Sequence, residues 1–239
     1  MGMAEAKSFR ATLINAGPSR TCIAVWPEMQ KSPDPSPVAW FSALLLSESF
    51  AALQWQASYE YVWANTGKLF SDKVVSVAQR LAPSGTAPAV RLEQKGTGYQ
   101  LVPFTPTHEM ASDSMVIETS ADIPSGGLTV GINIEIAAGI GQPGNAVSVI
   151  EAQPNLSYSW TIGETYYAGY GAISPSQYDP SALKLQTPLR LDFGSTGEIV
   201  VMLDSRNVLM QLDSAEAAEL IASGRFGLCP TFFEPTADN

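Results

Sequence analysis

An unbroken period-two alternation between residues 53 and 63 constrains the fold more than any other feature of this sequence. One side carries Leu53, Trp55, Ala57, Tyr59, Tyr61 and Trp63, and the other carries Gln54, Gln56, Ser58, Glu60 and Val62. Successive side chains of a β-strand point to opposite faces, so the pattern predicts one strand with an aromatic face. This segment is therefore expected to lie in a β-sheet that is buried on one side.

The same alternation recurs along the chain. It predicts further strands at Thr21 to Trp26, Val74 to Leu81, Arg91 to Glu93, Tyr99 to Phe104, Met115 to Thr119, Leu128 to Ile136, Ala146 to Glu151, Leu156 to Ile162, Leu183 to Phe193 and Glu198 to Leu203. Glycine and proline turns such as Lys95-Gly96-Thr97-Gly98 separate these runs. At 239 residues, an all-β chain commonly forms one domain. We therefore predict a single antiparallel β-sandwich or flattened barrel over residues 1–239.

Three segments interrupt the strand pattern. Asp213 and Glu216 resemble a capping box, and Gly224 stands where a helix-terminating glycine belongs, so a short C-terminal helix is predicted over Ala215 to Ala222. The proline-rich run Ser32 to Pro37 and the aromatic, glycine-rich run Tyr166 to Gly171 are predicted as loops.

The charge and the termini narrow the function classes. A formal charge of −10 repels a nucleic-acid backbone or an anionic membrane, so neither is an expected partner. The first residues lack a basic and apolar signal peptide, which predicts a cytoplasmic protein. Cys22 and Cys229 have no metal-ligand spacing and are predicted as buried free thiols, with a disulfide between the two ends of the chain as the alternative.

Several motifs resemble catalytic or nucleotide-binding motifs, but the sequence around each of them does not fit that role. Gly139 to Gly144 satisfies GxGxxG, but the following Ala146 to Glu151 reads as a strand, so a glycine-rich hairpin turn is favoured over a nucleotide site. His108 is the single histidine and lies in loop-like sequence beside Glu109. Glu60 and Glu135 fall on polar strand faces. We therefore predict no metal site and no cofactor, and a hydrolase using His108 with a carboxylate is the weakest of the enzyme hypotheses.

The aromatic residues are the remaining candidates for a site. Inward-facing aromatic side chains normally pack a core, but tyrosine and tryptophan also need partners for their polar ends, which suits a cavity wall. The predicted ligand-binding residues are Trp40, Trp55, Tyr59, Tyr61, Trp63, Tyr158, Trp160 and Tyr167. Core packing is the alternative for each of them.

Three further blocks of the sequence are informative: Val25 to Gln30 leading through the prolines to Val38 to Phe41, then Leu53 to Leu69, then Glu151 to Trp160. Together they resemble the proteins related to RhiA, a rhizosphere-expressed bacterial protein. The resemblance implies a single β-rich cytoplasmic protein, and it transfers no catalytic residue to this chain.

These observations predict a protein that binds an apolar or aromatic small molecule in an aromatic-lined pocket. Such a pocket could act as a cofactor-free cyclase of secondary metabolism, including a pericyclic one, by holding a substrate in a reactive shape. The alternative is a non-catalytic module that binds a carbohydrate or a protein. The sequence leaves the oligomeric state and the identity of the ligand open.

Overall fold

A computed structural model describes residues 8–32, 36–37, 41–56, 59–65, 77–82, 89–106, 114–125, 128–134, 138–139, 146–171 and 188–229. In chain order the elements are β1 (Ser8–Asn15), β2 (Thr21–Ser32), β3 (Ser36–Pro37), β4 (Phe41–Leu45), β5 (Ser49–Gln56), β6 (Tyr59–Ala64), β7 (Gln79–Leu81), β8 (Ala89–Lys95), β9 (Gly98–Phe104), β10 (Ser114–Thr119), β11 (Thr129–Ile134), β12 (Ala138–Gly139), β13 (Ala146–Glu151), β14 (Ser157–Gly171), β15 (Leu189–Leu191), β16 (Glu198–Leu203), β17 (Leu209–Leu212), α1 (Ser214–Ala222) and β18 (Gly227–Leu228).

The strands form three sheets. Sheet A has the order β12-β5-β1-β16-β17, with β18 also paired to β5. Sheet B has the order β4-β2-β14-β10-β8-β9, with β15 also paired to β14, and sheet C has the order β3-β13-β11-β6-β7. Most neighbours are antiparallel, while β1–β16, β10–β8 and β18–β5 are parallel. The predicted all-β, mostly antiparallel, sandwich-like fold is confirmed.

One continuous cluster of buried residues draws on all three sheets. Strand β16 shows how the alternation builds it, because Ile199, Val201 and Leu203 are buried while the residues between them are partly exposed. Sheet B contributes Trp160 and sheet C contributes Tyr61, both with no exposed surface. Hydrophobic burial on this scale is the main stabilising contribution to such a fold. The single-domain assignment stays a prediction.

The alternating run from residue 53 to residue 63 is not one strand, which corrects the sequence-based prediction. Strand β5 ends at Gln56 in sheet A, and β6 begins at Tyr59 in sheet C. Trp55 and Tyr61 nevertheless belong to the same core cluster. The two-residue alternation indicates which side chains face the core, but it does not indicate to which sheet a strand belongs. The pattern can therefore continue across a change of sheet.

The predicted aromatic loop at residues 166–171 is also wrong. These residues form the second half of β14 and pair with β2 from Tyr166↔Pro27 to Gly171↔Cys22. The glycine that suggested a loop has a packing role, because a Cβ on Gly169 would lie 2.8 Å from Cη2 of Trp26. Close approach of a large side chain to a backbone is a common reason for glycine inside a strand.

The proline-rich loop predicted at residues 32–37 is wrong at its described positions, which belong to strands. Ser32 ends β2, whereas Ser36 and Pro37 pair with β13 as a two-residue strand at the edge of sheet C, where proline is tolerated. Residues 33–35 lie outside the described part of the chain.

The C-terminal helix is confirmed. The Asp213 side chain accepts hydrogen bonds from the backbone N–H groups of Ala215 and Glu216, and Gly224 follows the helix with a φ of 66°. Both cysteines are buried free thiols, as predicted. Over the described residues, no helix has the length and apolarity required to span a membrane.

Candidate functional site

Trp55 lies in a packed aromatic cluster that we define as Phe9, Trp55, Tyr166 and Phe193. Its ring stacks on Phe9 with centroids 5.5 Å apart and meets Tyr166 and Phe193 edge-on at 5.2 and 5.4 Å. The indole N–H of Trp55 donates a 3.0 Å hydrogen bond to the hydroxyl of Tyr166. Trp55 is fully buried, so this predicted ligand-binding residue lies within the core.

Four further predicted residues, Tyr59, Tyr61, Tyr158 and Trp160, are also buried in the core cluster. The Trp160 indole N–H donates to Ser148 Oγ at 3.2 Å. The Tyr158 hydroxyl accepts from the Gln153 N–H at 2.7 Å. Burial raises the pKa of Tyr61 to about 12 and also raises the pKa of Tyr158, because both phenolates would lose solvation.

The remaining predicted residues lie apart from this group. Trp63 is half-buried, donates to Gln79 Oε1 at 3.0 Å and meets Tyr99 edge-on at 5.9 Å. Tyr167 packs with Trp26 in a small separate cluster, and its hydroxyl donates to Glu28 Oε1 at 3.3 Å. Desolvation first, and the Glu28 carboxylate second, raise the pKa of Tyr167. Trp40 lies outside the described residues.

Protein groups therefore occupy the polar ends of six members of this set, Trp55, Tyr61, Trp63, Tyr158, Trp160 and Tyr167. Trp55, Trp63 and Trp160 donate to side chains. The hydroxyl of Tyr61 hydrogen-bonds to the Val116 backbone across the gap between sheets C and B. Such bonds satisfy the buried polar atoms and fix the relative positions of the sheets. A role of these residues in ligand binding stays a prediction.

A surface cavity opens beside the aromatic cluster, at the end of β15. It has a volume of about 380 Å³, and we call it the β15 cleft. Its lining residues are Phe9, Thr165, Arg190, Leu191, Asp192, Phe193 and Gly194. Phe9, Leu191 and Phe193 are buried, whereas Arg190 and Asp192 are exposed. The accessible lining of the cleft is therefore mostly polar, and its floor consists of the small exposed parts of Phe9, Leu191 and Phe193.

A β-bulge shapes one side of the β15 cleft. In the pairing of β14 with β2, Ile162 lies opposite Met29 and Tyr166 lies opposite Pro27, so the register shifts and three residues of β14, 163–165, span the same interval as Glu28 of β2. Bulges bend a strand and redirect its side chains, and they are common beside functional sites. Thr165, the last residue of this bulge, lines the cleft.

Two local hydrogen-bond systems hold the opposite side. Asp192 Oδ1 accepts from the Gly194 N–H at 3.0 Å, which closes the turn after β15. The Gln211 side chain accepts from the Asp192 N–H at 3.0 Å and donates to the Asp192 carbonyl oxygen at 2.6 Å. Gly194 has a φ of 53°, a conformation that glycine adopts without strain.

A second cavity of about 550 Å³ adjoins the cleft and extends under α1. The two cavities share Asp192, Phe193 and Gly194. Arg10, Glu198, Gln211 and Asp213 add polar groups, while Ile199 and Ala217 add apolar surface. The shared turn therefore separates two recesses on one side of the molecule.

The described residues show no group of three or more His, Cys, Asp or Glu side chains that could hold a metal ion. His108, Glu135 and the glycine-rich segment 140–144 lie outside the described residues. The segment after that motif does form a strand, β13, as predicted. No helix therefore follows the glycines in the way that a dinucleotide site requires.

Sequence reasoning missed most residues of the β15 cleft. Arg190, Leu191, Asp192 and Phe193 were part of the strand predicted at Leu183 to Phe193, but Phe9 and Thr165 carried no local signal. Phe9 reaches Phe193 because the Arg10 N–H donates to Gly197 O and the Gly197 N–H donates to Phe193 O, at 2.8 and 3.1 Å. A contact between the two ends of the chain cannot be read from short-range periodicity.

The chain was compared with protein families, curated proteins and solved structures. Residues 6–213 match the model of the RhiA family, which covers most of the described elements. Neither the curated proteins nor the solved structures gave a match.

Proposed function

The chain belongs to the RhiA family, and we propose that it binds an apolar or aromatic small molecule in the β15 cleft. The cleft volume of about 380 Å³ falls in the range of roughly 300–1,000 Å³ found for small-molecule pockets. Aromatic residues at the floor and polar groups at the rim are both elements of such sites. Family membership itself supplies no ligand, so the proposal depends on the cleft.

The observation that carries the proposal is the double role of Phe9 and Phe193. Their rings lie 5.0 Å apart at an interplanar angle of 70°, and both also line the cleft. Trp55 and Tyr166 pack behind them with ring centroids 5.4 to 5.6 Å away. A ligand would therefore meet rings that are already held in place, and binding would cost little side-chain entropy.

The predicted aromatic residues have an indirect place in this proposal. Trp55 supports the floor from behind through its contacts with Phe9 and Phe193. Direct contact of Tyr59, Tyr61, Tyr158 or Trp160 with the same ligand is not needed. The cyclase activity stays a prediction.

The binding proposal is tested by filling the cleft without disturbing the core. Thr165 is half-buried at the bulge, so Thr165→Trp should place an indole in the cavity. Ser157→Trp adds the same side chain to an exposed position of the same strand and is the matched control. A library of neutral and charged aromatic compounds is titrated against all three proteins by calorimetry, with unfolding temperature as a check on folding.

We expect the unsubstituted protein and the control to bind the same compounds, and Thr165→Trp to lose at least about tenfold in affinity. Equal affinity in Thr165→Trp would show that the ligand binds elsewhere. Native mass spectrometry of the purified chain adds an independent readout by detecting a retained ligand. Incubation of any retained or bound compound with the protein, followed by product analysis, then tests the cyclase prediction separately.

A further inference from the structure

The carboxylates that line the two cavities are each engaged by the protein. Asp192 accepts the Gly194 N–H. Asp213 accepts the N–H groups of Ala215 and Glu216 at 2.9 and 2.8 Å. Glu198 lies 3.9 Å from Arg10. Each of these three carboxylates therefore already has a partner within the protein.

The guanidinium of Arg190 differs from most of the described arginines. An ion pair with a carboxylate holds each of Arg10, Arg91, Arg206 and Arg225. Among the described residues, no carboxylate lies within 4.0 Å of Arg190. Glu28, the acidic group on the neighbouring strand, accepts a hydrogen bond from Tyr167, which pairs with Arg190 across β14 and β15. Arg190 thus lies at the rim of the cleft with no ion-paired carboxylate among the described residues, and its charge acts on the Tyr167 hydroxyl together with that of Glu28.

We infer that the ligand of the β15 cleft carries a carboxylate that pairs with Arg190 while its apolar body lies on Phe9 and Phe193. This inference rests on the proposed binding function and specifies its ligand class. A planar guanidinium matches a carboxylate with two parallel hydrogen bonds, which a neutral amide cannot reproduce. The formal charge of −10 opposes each additional negative charge, so a monoanion is favoured over a phosphate dianion.

The apolar body and the charge then play separate roles. Phe9, Leu191 and Phe193 would contribute affinity by removing the ligand's apolar surface from water. Arg190 would make the cleft selective for a carboxylate, because a neutral ligand of the same shape cannot form the charge-assisted hydrogen bonds. The resulting class is aromatic or alicyclic monocarboxylic acids.

The test uses two probes of nearly equal shape, naphthalene-2-carboxylate and naphthalene-2-carboxamide, titrated by calorimetry into the full chain at low ionic strength. We expect the carboxylate to bind about tenfold more tightly than the amide, the modest ratio expected for an exposed arginine. Arg190→Gln should lower carboxylate affinity to that of the amide. Arg20→Gln is the matched control, because Arg20 is an exposed arginine that lines neither cavity.

Raising the salt concentration should reduce the ratio of carboxylate affinity to amide affinity in the unsubstituted protein, and it should leave this ratio unchanged in Arg190→Gln. Equal affinity for both probes in the unsubstituted protein, with loss of both in Thr165→Trp, would overturn the carboxylate inference and preserve the cleft as the site. A carboxylate preference that survives Arg190→Gln would overturn the role of Arg190. Affinity for both probes that survives Thr165→Trp would overturn the cleft itself and the inference that rests on it.

Discussion

The aromatic cluster and the edge formed by Trp63, Gln79 and Tyr99 use the same types of residue in different surroundings. In the cluster, Trp55 is fully buried and its indole N–H donates to another aromatic residue, Tyr166. At the edge, Trp63 is half-buried and donates to an amide. Both tryptophans belong to one alternating run of sequence. The comparison shows that alternation selects the inward face, whereas the neighbouring strands decide how deeply each side chain is buried.

Truncation of the two tryptophans should separate the regions most clearly. Trp55→Ala removes a fully buried ring that contacts three aromatic neighbours, and we expect a loss of about 4 kcal/mol in the free energy of unfolding. Trp63→Ala should cost about 1–2 kcal/mol because part of its ring already faces water. Urea unfolding followed by circular dichroism measures both. Equal losses would show that depth of burial does not distinguish the two regions.

Alkaline titration should sharpen the comparison further. Burial raises the pKa of Tyr61 to about 12, above the value of about 10 for an exposed tyrosine. The neutral phenol is therefore favoured in the folded state. Its stabilising contribution is complete below pH 10 and is lost as the pH rises through 12.

We expect stability to fall between pH 10 and 12 and the fall to be less steep in Tyr61→Phe. The measurement is the urea midpoint at a series of pH values. Trp63→Phe changes the edge without removing an ionisable group and should keep the original slope. An unchanged slope in Tyr61→Phe would assign the alkaline loss of stability to other residues.

The smallest effect is expected at the edge itself. Gln79 Oε1 accepts from the Trp63 indole and from the Leu101 N–H at 2.9 Å, so Gln79→Leu should cost about 1 kcal/mol. It should also speed amide hydrogen exchange at Leu101. Gln100→Leu, which removes one side-chain hydrogen bond to Glu93, is the matched control and should change stability by about 0.5 kcal/mol. Unchanged exchange at Leu101 would show that the amide of Gln79 does not hold β9 in place.

Local sequence predicted the elements whose determinants are local. The bounds of β13 and β16 were predicted as they occur, Ala146–Glu151 and Glu198–Leu203, because each is a short alternating run between turns. Helix α1 followed from Asp213 and Gly224 for the same reason. The prediction failed where a distant residue determines the local structure. Gly169 was predicted in a loop, because its close contact with Trp26 cannot be seen in the local sequence.

The candidate site was less accessible to prediction than the fold. Trp55 was identified from its alternation, but the floor of the cleft combines Phe9 from the first strand with Phe193 from beyond β15. The parallel pairing of β1 with β16 brings these two segments together. Arg190 is distinguished from Arg10, Arg91, Arg206 and Arg225 only when the ion pairs of those four arginines are known.

The parallel pairing of β1 with β16 also has a consequence for biosynthesis. Strand β1 can pair with β5 early, but its other edge stays open until residues 198–203 have been synthesised. An open, apolar strand edge can pair with other chains, and contacts between distant segments form slowly. Nascent chains of this protein therefore expose an unpaired edge of β1, which can pair with other chains, for most of translation. Chaperone demand and yield in a heterologous host should depend on how soon the last third of the chain follows the first.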